Sequence, residues 1–351
     1  MRILIASTQV PFISGGAEAM ADQLKLSLVD RGHQAEMVTM PFIFNQKDAV
    51  MKSMKSWKQF DVNELDIGYV DQVICLKFPT FYLKHHNKVT WLTHQHRAVY
   101  DLWDTQYGEV STNKEAIQLR NAITNEDNIN LNESAENFTI SKTVSERMRK
   151  YNGIKSQHVY QPSPLEHLFS PGHQYPYIFA PSRLESLKRQ ELLIEAASMS
   201  KTPCNILIAG TGGLAKHLQE KIEALNLKHK VKLLGHVSQK ELSDLYSNAL
   251  AIYFAPFNED YGFITLEAMQ SAKPVITCPD SGGPLEFITD DENGFVVEPN
   301  KESLAQKIDY IYQNKTLTKE MGLNGLARYK NLNLNWNDII DTLLVDNDES
   351  I

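Results

Sequence analysis

The stretch from Ala251 to Glu286, AIYFAPFNEDYGFITLEAMQSAKPVITCPDSGGPLE, limits the fold of this 351-residue chain more than any other. Ala251 to Ala255 is an apolar run that reads as a buried strand, ended by Pro256 and Asn258. Phe263 to Ala272 has helical composition, and Pro274 forces a stop before a second strand, Val275 to Cys278. Strand, loop, helix, strand is one α/β unit, with its chemistry in the loop. Gly262 lets the backbone come close to a ligand, and Phe263, Ile264 and Thr265 would present helix N-terminal N–H groups. Such an end attracts an anion, and a diphosphate suits it.

Two acids frame that site, Glu259 in the loop and Glu267 about one helical turn inside the helix. Acid–base catalysis is one use for such a pair, but the glycine-capped helix start favours a phosphate ligand. A carboxylate accepts two hydrogen bonds from a vicinal diol, so Glu267 suits a ribose and Glu259 is left for a second sugar. The residues alone equally allow two solvated charges near a helix start.

The length divides into domains 1–165 and 166–334, with a helix in 335–351 reaching back to the first. A net charge of −8 argues against a nucleic-acid partner. Cys75, Cys204 and Cys278 show neither metal spacing nor a disulfide framework, which implies a reducing, cytoplasmic setting. Arg2 to Ser7 opens at once as a strand, the expectation being no signal peptide. No apolar run is long enough to span a bilayer, so any membrane contact would be peripheral, at the inner face. Residues 45–60 offer a surface for it. Val50, Met54 and Trp57 fall on one face of an amphipathic helix and Lys47, Lys52, Lys55 and Lys58 on the rest. Such a helix can lie on anionic lipid, hold an acidic acceptor, or pack on a sheet.

Four more loops carry candidate chemistry. Gly15 and Gly16, between the strand Ile3 to Ala6 and a helix from Ala17 to Arg31, form a second anion site or only a turn. The strand Lys88 to Leu92 delivers His94-Gln95-His96 to the carboxyl end of a parallel sheet. No third ligand stands near, so metal binding is disfavoured, and the histidines are either structural or ligand-facing. After the strand Tyr177 to Ala180, Arg183 and Lys188 bracket a loop where they would neutralise a diphosphate or serve as surface charge. Gly210 to Ala215 fits G-x-G-x-x-A and supports a rival, a nicotinamide-dependent oxidoreductase.

The pattern as a whole resembles retaining glycosyltransferase family 4. The family's E-x-F/Y-G-x4-E-A-M, G/K-x-P-V-I and G-G-x-x-E signatures meet Glu259, Tyr261, Gly262, Glu267, Ala268, Met269, Pro274, Val275, Gly282, Gly283 and Glu286. In the family's order stand Gly15-Gly16, a histidine after a strand, the closing segment from Phe138 through Asn152-Gly153-Ile154, R-x4-K at Arg183 and Lys188, and A-G-x-G at Ala209 to Gly212. The resemblance implies a GT-B fold of two Rossmann-like, doubly wound α/β domains facing each other across a cleft. The first would bind the acceptor and the second the nucleotide sugar. It implies metal-independent, retaining hexosyl transfer without a further cofactor. The donor would be UDP-glucose or another UDP-sugar, with GDP-mannose second. The acceptor would be a glycan, lipid-linked or small-molecule hydroxyl in polysaccharide or glycoconjugate synthesis. Donor contacts would come from Gly15, Gly16, Arg183, Lys188, Gly210, Glu259, Tyr261, Gly262, Phe263, Ile264, Thr265 and Glu267, with the base read by the backbone at Val237. His94 best fits the place beside the reacting carbon, His96 next, and Arg97 to Asp104 the acceptor side. No carboxylate nucleophile stands at His94 to Arg97, which favours front-face attack. A sugar-nucleotide epimerase and a silent sugar-nucleotide binding protein stay open beside the oxidoreductase.

Overall fold

The computed structural model describes residues 1–12, 15–43, 46–108 and 113–345, and the chain divides into two units. The first comprises Met1–Pro164 with the segment that begins at Leu334, and the second is Leu165–Asn333.

In the first unit β1 (Arg2–Gln9), α1 (Gly16–Asp30), β2 (Gln34–Pro41), α2 (Lys47–Gln59), β3 (Gln72–Cys75) and β4 (Lys88–Leu92) alternate along the chain. They are followed by α3 (Lys114–Asn132), β5 (Glu136–Thr139), α4 (Lys142–Asn152) and the short β6 (Gln157–His158). The sheet order is β2-β1-β3-β4-β5-β6 and every pair is parallel. A parallel sheet covered on both faces demands apolar residues throughout, and β3 and β4 are buried along their whole length. The chain steps from β1 out to β2 and then crosses back to β3, so the switch point lies between β1 and β3.

Two expectations change here. From its sequence the polar stretch Asn121 to Asn137 is expected to be helical only in parts, whereas Asn121 to Asn132 lies in a continuous helix, α3, that starts at Lys114 because Asn113 caps it by accepting from the Ala116 N–H at 2.9 Å. Asn137 belongs to β5 instead. The second concerns membrane contact through residues 45–60, of which Asn45 lies outside the described residues. Val50, Ser53, Met54 and Trp57 of α2 are buried in the unit's own core, so the apolar face is not available to lipid. What faces outward is cationic, with Lys58 bound to Glu126 at 2.7 Å.

The second unit begins with β7 (Tyr177–Pro181), α5 (Gln190–Met199), β8 (Asn205–Ala209), α6 (Ala215–Ala224), β9 (Val231–Gly235) and α7 (Gln239–Asn248). It continues with β10 (Ala251–Tyr253), α8 (Phe263–Gln270), β11 (Val275–Thr277), β12 (Gly294–Val296), α9 (Lys301–Gln313) and α10 (Lys315–Leu332). Its parallel order is β12-β11-β10-β7-β8-β9, so the chain winds outward from β7 in one direction and then from β10 in the other. The switch point therefore lies between β7 and β10. The last element, α11 (Trp336–Leu343), returns to the first unit, where Ile339, Ile340 and Leu343 are buried and Arg31 of α1 binds Asp341 at 2.6 Å.

Candidate active site

The loops after β7 and β10 meet at the second switch point. Lys188 Nζ lies 2.6 Å from Glu259 Oε2, with the two side chains only 12% and 19% exposed. The ammonium also stands 5.5 Å above the Phe254 ring. Water screens such a pair little, and a phosphate arriving here would compete with Glu259 for the ammonium. Arg183 is not drawn in. Its guanidinium is 60% exposed and bound to Glu185 at 3.0 Å, so the expected bracket of two cations is one enclosed lysine and one arginine in solvent.

The turn from Ala209 to Leu214 braces this loop. Ser182 N–H donates to Ala209 O at 3.0 Å, and Leu184 N–H to Thr211 O at 2.9 Å. A Cβ on Gly210 would lie 1.9 Å from Ser182 O, and one on Gly212 2.4 Å from Leu184 O, which is why both positions are glycine. The Gly210 and Leu214 N–H groups are bound internally, to Gly235 O and Leu184 O. Amides already satisfied by the protein are poorly placed to cradle a dinucleotide, which counts against the nicotinamide rival.

Gly262, at φ +87, turns the chain into α8, and a Cβ there would meet the Phe254 ring at 2.8 Å. The Thr265 N–H turns back to Gly262 O at 2.9 Å, while Phe263 and Ile264, half-buried, sit where a helix has no internal acceptor for its amides. Inside α8, Glu267 is 8% exposed and accepts from the Tyr246 hydroxyl at 2.6 Å. Burial, then the neighbouring carboxylate, pushes the Tyr246 hydroxyl well up, so it remains a donor. Tyr261 differs from its expected role: its side chain is buried, edge-on to Phe263 and Phe287 at 5.3 and 5.5 Å, and supports the loop from within. Val237 lines an open recess of about 470 Å³ beside α7, together with Leu234, His236 and Leu245.

At the first unit's switch point the glycine loop is already engaged. Gly15 N–H donates to Glu18 Oε2 at 2.9 Å, and the other carboxylate oxygen takes Lys77 Nζ at 2.5 Å. Burial alone would raise the Glu18 carboxyl, but Lys77 and the Gly15 amide hold it below the ordinary value. Gly15 therefore offers its amide to a side chain of the same helix, and Gly16 opens α1 beside it. The histidines separate as well. His94 is half-buried, with Nδ1 2.9 Å from Gln95 O. His96 is 2% exposed, stacked on Phe78 at 5.3 Å and edge-on to Phe42 at 6.2 Å, and burial lowers it to about 4. It is a neutral core residue. Among the described residues no three His, Cys, Asp or Glu side chains are grouped to hold a metal ion.

Sequence reading missed the residues that hold these groups: Tyr246 on Glu267, Lys77 on Glu18, and Asp127, which accepts from the Tyr82 and Tyr100 hydroxyls at 2.6 Å each. Each partner is distant in the chain, and no local spacing announces it.

Residues 168–328 match the family described as "Glycosyl transferases group 1". Human "Alpha-1,3/1,6-mannosyltransferase ALG2" is 33% identical over 115 residues, covering 33% of this chain and 27% of the relative. "Poly(ribitol-phosphate) alpha-N-acetylglucosaminyltransferase" of Staphylococcus aureus is 33% identical over 147 residues, covering 40% and 29%. The chain thus matches a third or so, or less, of the length of these curated relatives. Two solved structures align over nearly the full length. Sucrose-phosphate synthase from Thermosynechococcus elongatus has a TM-score of 0.78 at 17% identity, over 97% of this chain and 96% of that one. Anabaena Alr3699/HepE in complex with UDP and glucose has a TM-score of 0.69 at 15% identity, over 98% and 99%. At such identities the likeness is one of fold, and the fold is GT-B, two parallel six-stranded sheets with helices. The stretch that carries Lys188, Glu259 and Glu267 belongs to the group 1 glycosyl transferases.

Proposed function

We propose that this protein is a retaining hexosyltransferase of family 4. It takes a UDP-sugar as donor, with GDP-mannose in second place, and a glycan, lipid-linked or small-molecule hydroxyl as acceptor. The observation that carries the reading is the enclosed Lys188–Glu259 pair beside the glycine-capped start of α8, at the carboxyl ends of β7 and β10. Lys188 and the α8 amides meet the charge that grows on the departing diphosphate, the part a metal ion plays in other transferases. Glu267, held by Tyr246, takes the ribose hydroxyls, and Glu259 takes hydroxyls of the transferred hexose. The acceptor proton passes to the departing phosphate in a front-face attack. Of the two histidines, half-buried His94 is the one open to a ligand of the first unit. Relatives named for mannosyl and N-acetylglucosaminyl transfer support the reaction class, and a fold neighbour holding UDP and glucose supports the choice of base.

Calorimetric titration with UDP, GDP and NAD, first without metal and then with magnesium, tests this directly. Selective binding of UDP or GDP without metal is expected. Binding of NAD alone refutes the reading, and nucleotide binding that appears only with magnesium refutes metal independence.

A further inference from the structure

Arg189, the residue after Lys188, sits in the left-handed region at φ +54 and ψ +34, joining a short 3-10 turn to α5. A side chain other than glycine or asparagine is strained there and persists only where its surroundings fix it. The surroundings do so here. The guanidinium is 8% exposed and binds Asp280 with both terminal nitrogens, at 2.8 and 2.5 Å. It lies 5.4 Å above the Phe257 ring, and the Arg189 carbonyl accepts from the Tyr253 hydroxyl at 3.0 Å.

These contacts join three loops that leave adjacent strands. Phe257 N–H donates to Leu187 O, Asn258 N–H to Asp280 O and Glu259 N–H to Ser281 O, each at 2.8 Å. Between them the loops after β7, β10 and β11 form one frame, and Arg189–Asp280 bridges it with a two-pronged side-chain contact. Lys188 has a long flexible stem, and a point charge on such a stem is useful to an anion only where the backbone beneath it is fixed. We infer that Arg189, through Asp280, is a positioning residue that aims Lys188 at the diphosphate of a nucleotide ligand. This rests on the transferase reading of the same site.

The test is a double-mutant cycle read by calorimetric titration with UDP and GDP. Arg189→Gly removes the fork yet relieves the backbone strain, so a purely conformational role for position 189 leaves affinity unchanged or improved. If Arg189 works through Lys188, R189G lowers affinity about tenfold, as expected for one misplaced charged hydrogen bond. In that case K188M and the K188M/R189G double variant bind alike, because the arginine acts only through the lysine. Asp280→Asn keeps the left-handed residue and gives the same loss, which holds the test in force should R189G fail to melt cooperatively. Wild-type affinity in both R189G and D280N overturns the inference, as do losses that multiply in the double variant. A wild-type protein that binds neither UDP nor GDP overturns the transferase reading instead, and this inference with it.

Discussion

Glu259 and Glu267 are held in opposite ways, which suits the different work proposed for them. Glu259 is bound to a cation, Lys188, and keeps 19% of its side chain exposed, so under the proposed reading it exchanges that partner for sugar hydroxyls when a diphosphate claims the lysine. Glu267 is bound to a neutral hydroxyl, Tyr246, which orients its buried carboxylate. A deletion at each position therefore reads out differently. Glu259→Ala is expected to reduce turnover far more than nucleotide affinity, and Glu267→Ala to reduce both. Tyr246→Phe touches no ligand, yet it removes a hydrogen bond to a buried carboxylate, and nucleotide affinity should fall about tenfold. Titration of the three variants checks this. Equal nucleotide affinity in all three would sink the division of roles.

At the scale of elements, α3 shows what holds the first unit in register. Asp127, on the inward face of α3, is fully buried between the hydroxyls of Tyr82 and Tyr100. Burial pushes its carboxyl up to about 7, against the pull of the two hydroxyls. The folded protein thus holds a proton that the unfolded chain has lost, so this group's stabilisation is complete below about pH 4 and is lost as pH rises through about 7. Asparagine mimics the protonated acid, donating to one tyrosine and accepting from the other. Asp127→Asn should gain on the wild type as pH rises from 4 to 8, by at most about 4 kcal/mol. Melting temperatures of both proteins across that range check it, and a gap that does not change with pH refutes it. The helix itself was legible only in part, within the polar stretch Asn121 to Asn137, whereas the strand Lys88–Leu92 was read with its full bounds because its residues are neighbours in the chain. Gly262 was legible because only a special backbone conformation needs a glycine before a helix. Asp127 with Tyr82, Arg189 with Asp280 and Glu18 with Lys77 were not, because the partners meet only once parallel strands have been ordered. The burial of His96 was hidden for the same reason: i and i+2 residues of a loop look alike until the fold turns one of them inward.

On the scale of the whole molecule, the first unit is discontinuous in sequence and is completed by the chain's last described helix. Gln72, fully buried at the start of β3, spends both ends of its amide there, donating to Leu343 O at 2.7 Å and accepting from Val345 N–H at 3.1 Å. Trp336 meets Trp91 edge-on at 6.2 Å, and Arg31 donates to Asn337 O at 2.8 Å. Ending the chain after Asn333 exposes the surface that Ile339, Ile340 and Leu343 cover and leaves the Gln72 amide without partners at that end. Uncovering three large aliphatic side chains costs roughly 5 kcal/mol, a sum comparable to the whole stability of a domain. The expected result is that the first unit's thermal transition falls steeply or disappears. UDP or GDP affinity should stay near the wild-type value, because Lys188, Glu259, Glu267 and Tyr246 all lie within Leu165–Asn333. Differential scanning calorimetry beside nucleotide titration separates the two effects. An unchanged melt would show that α11 is dispensable to the first unit, and loss of nucleotide binding together with the melt would show that the two units are stable only as one.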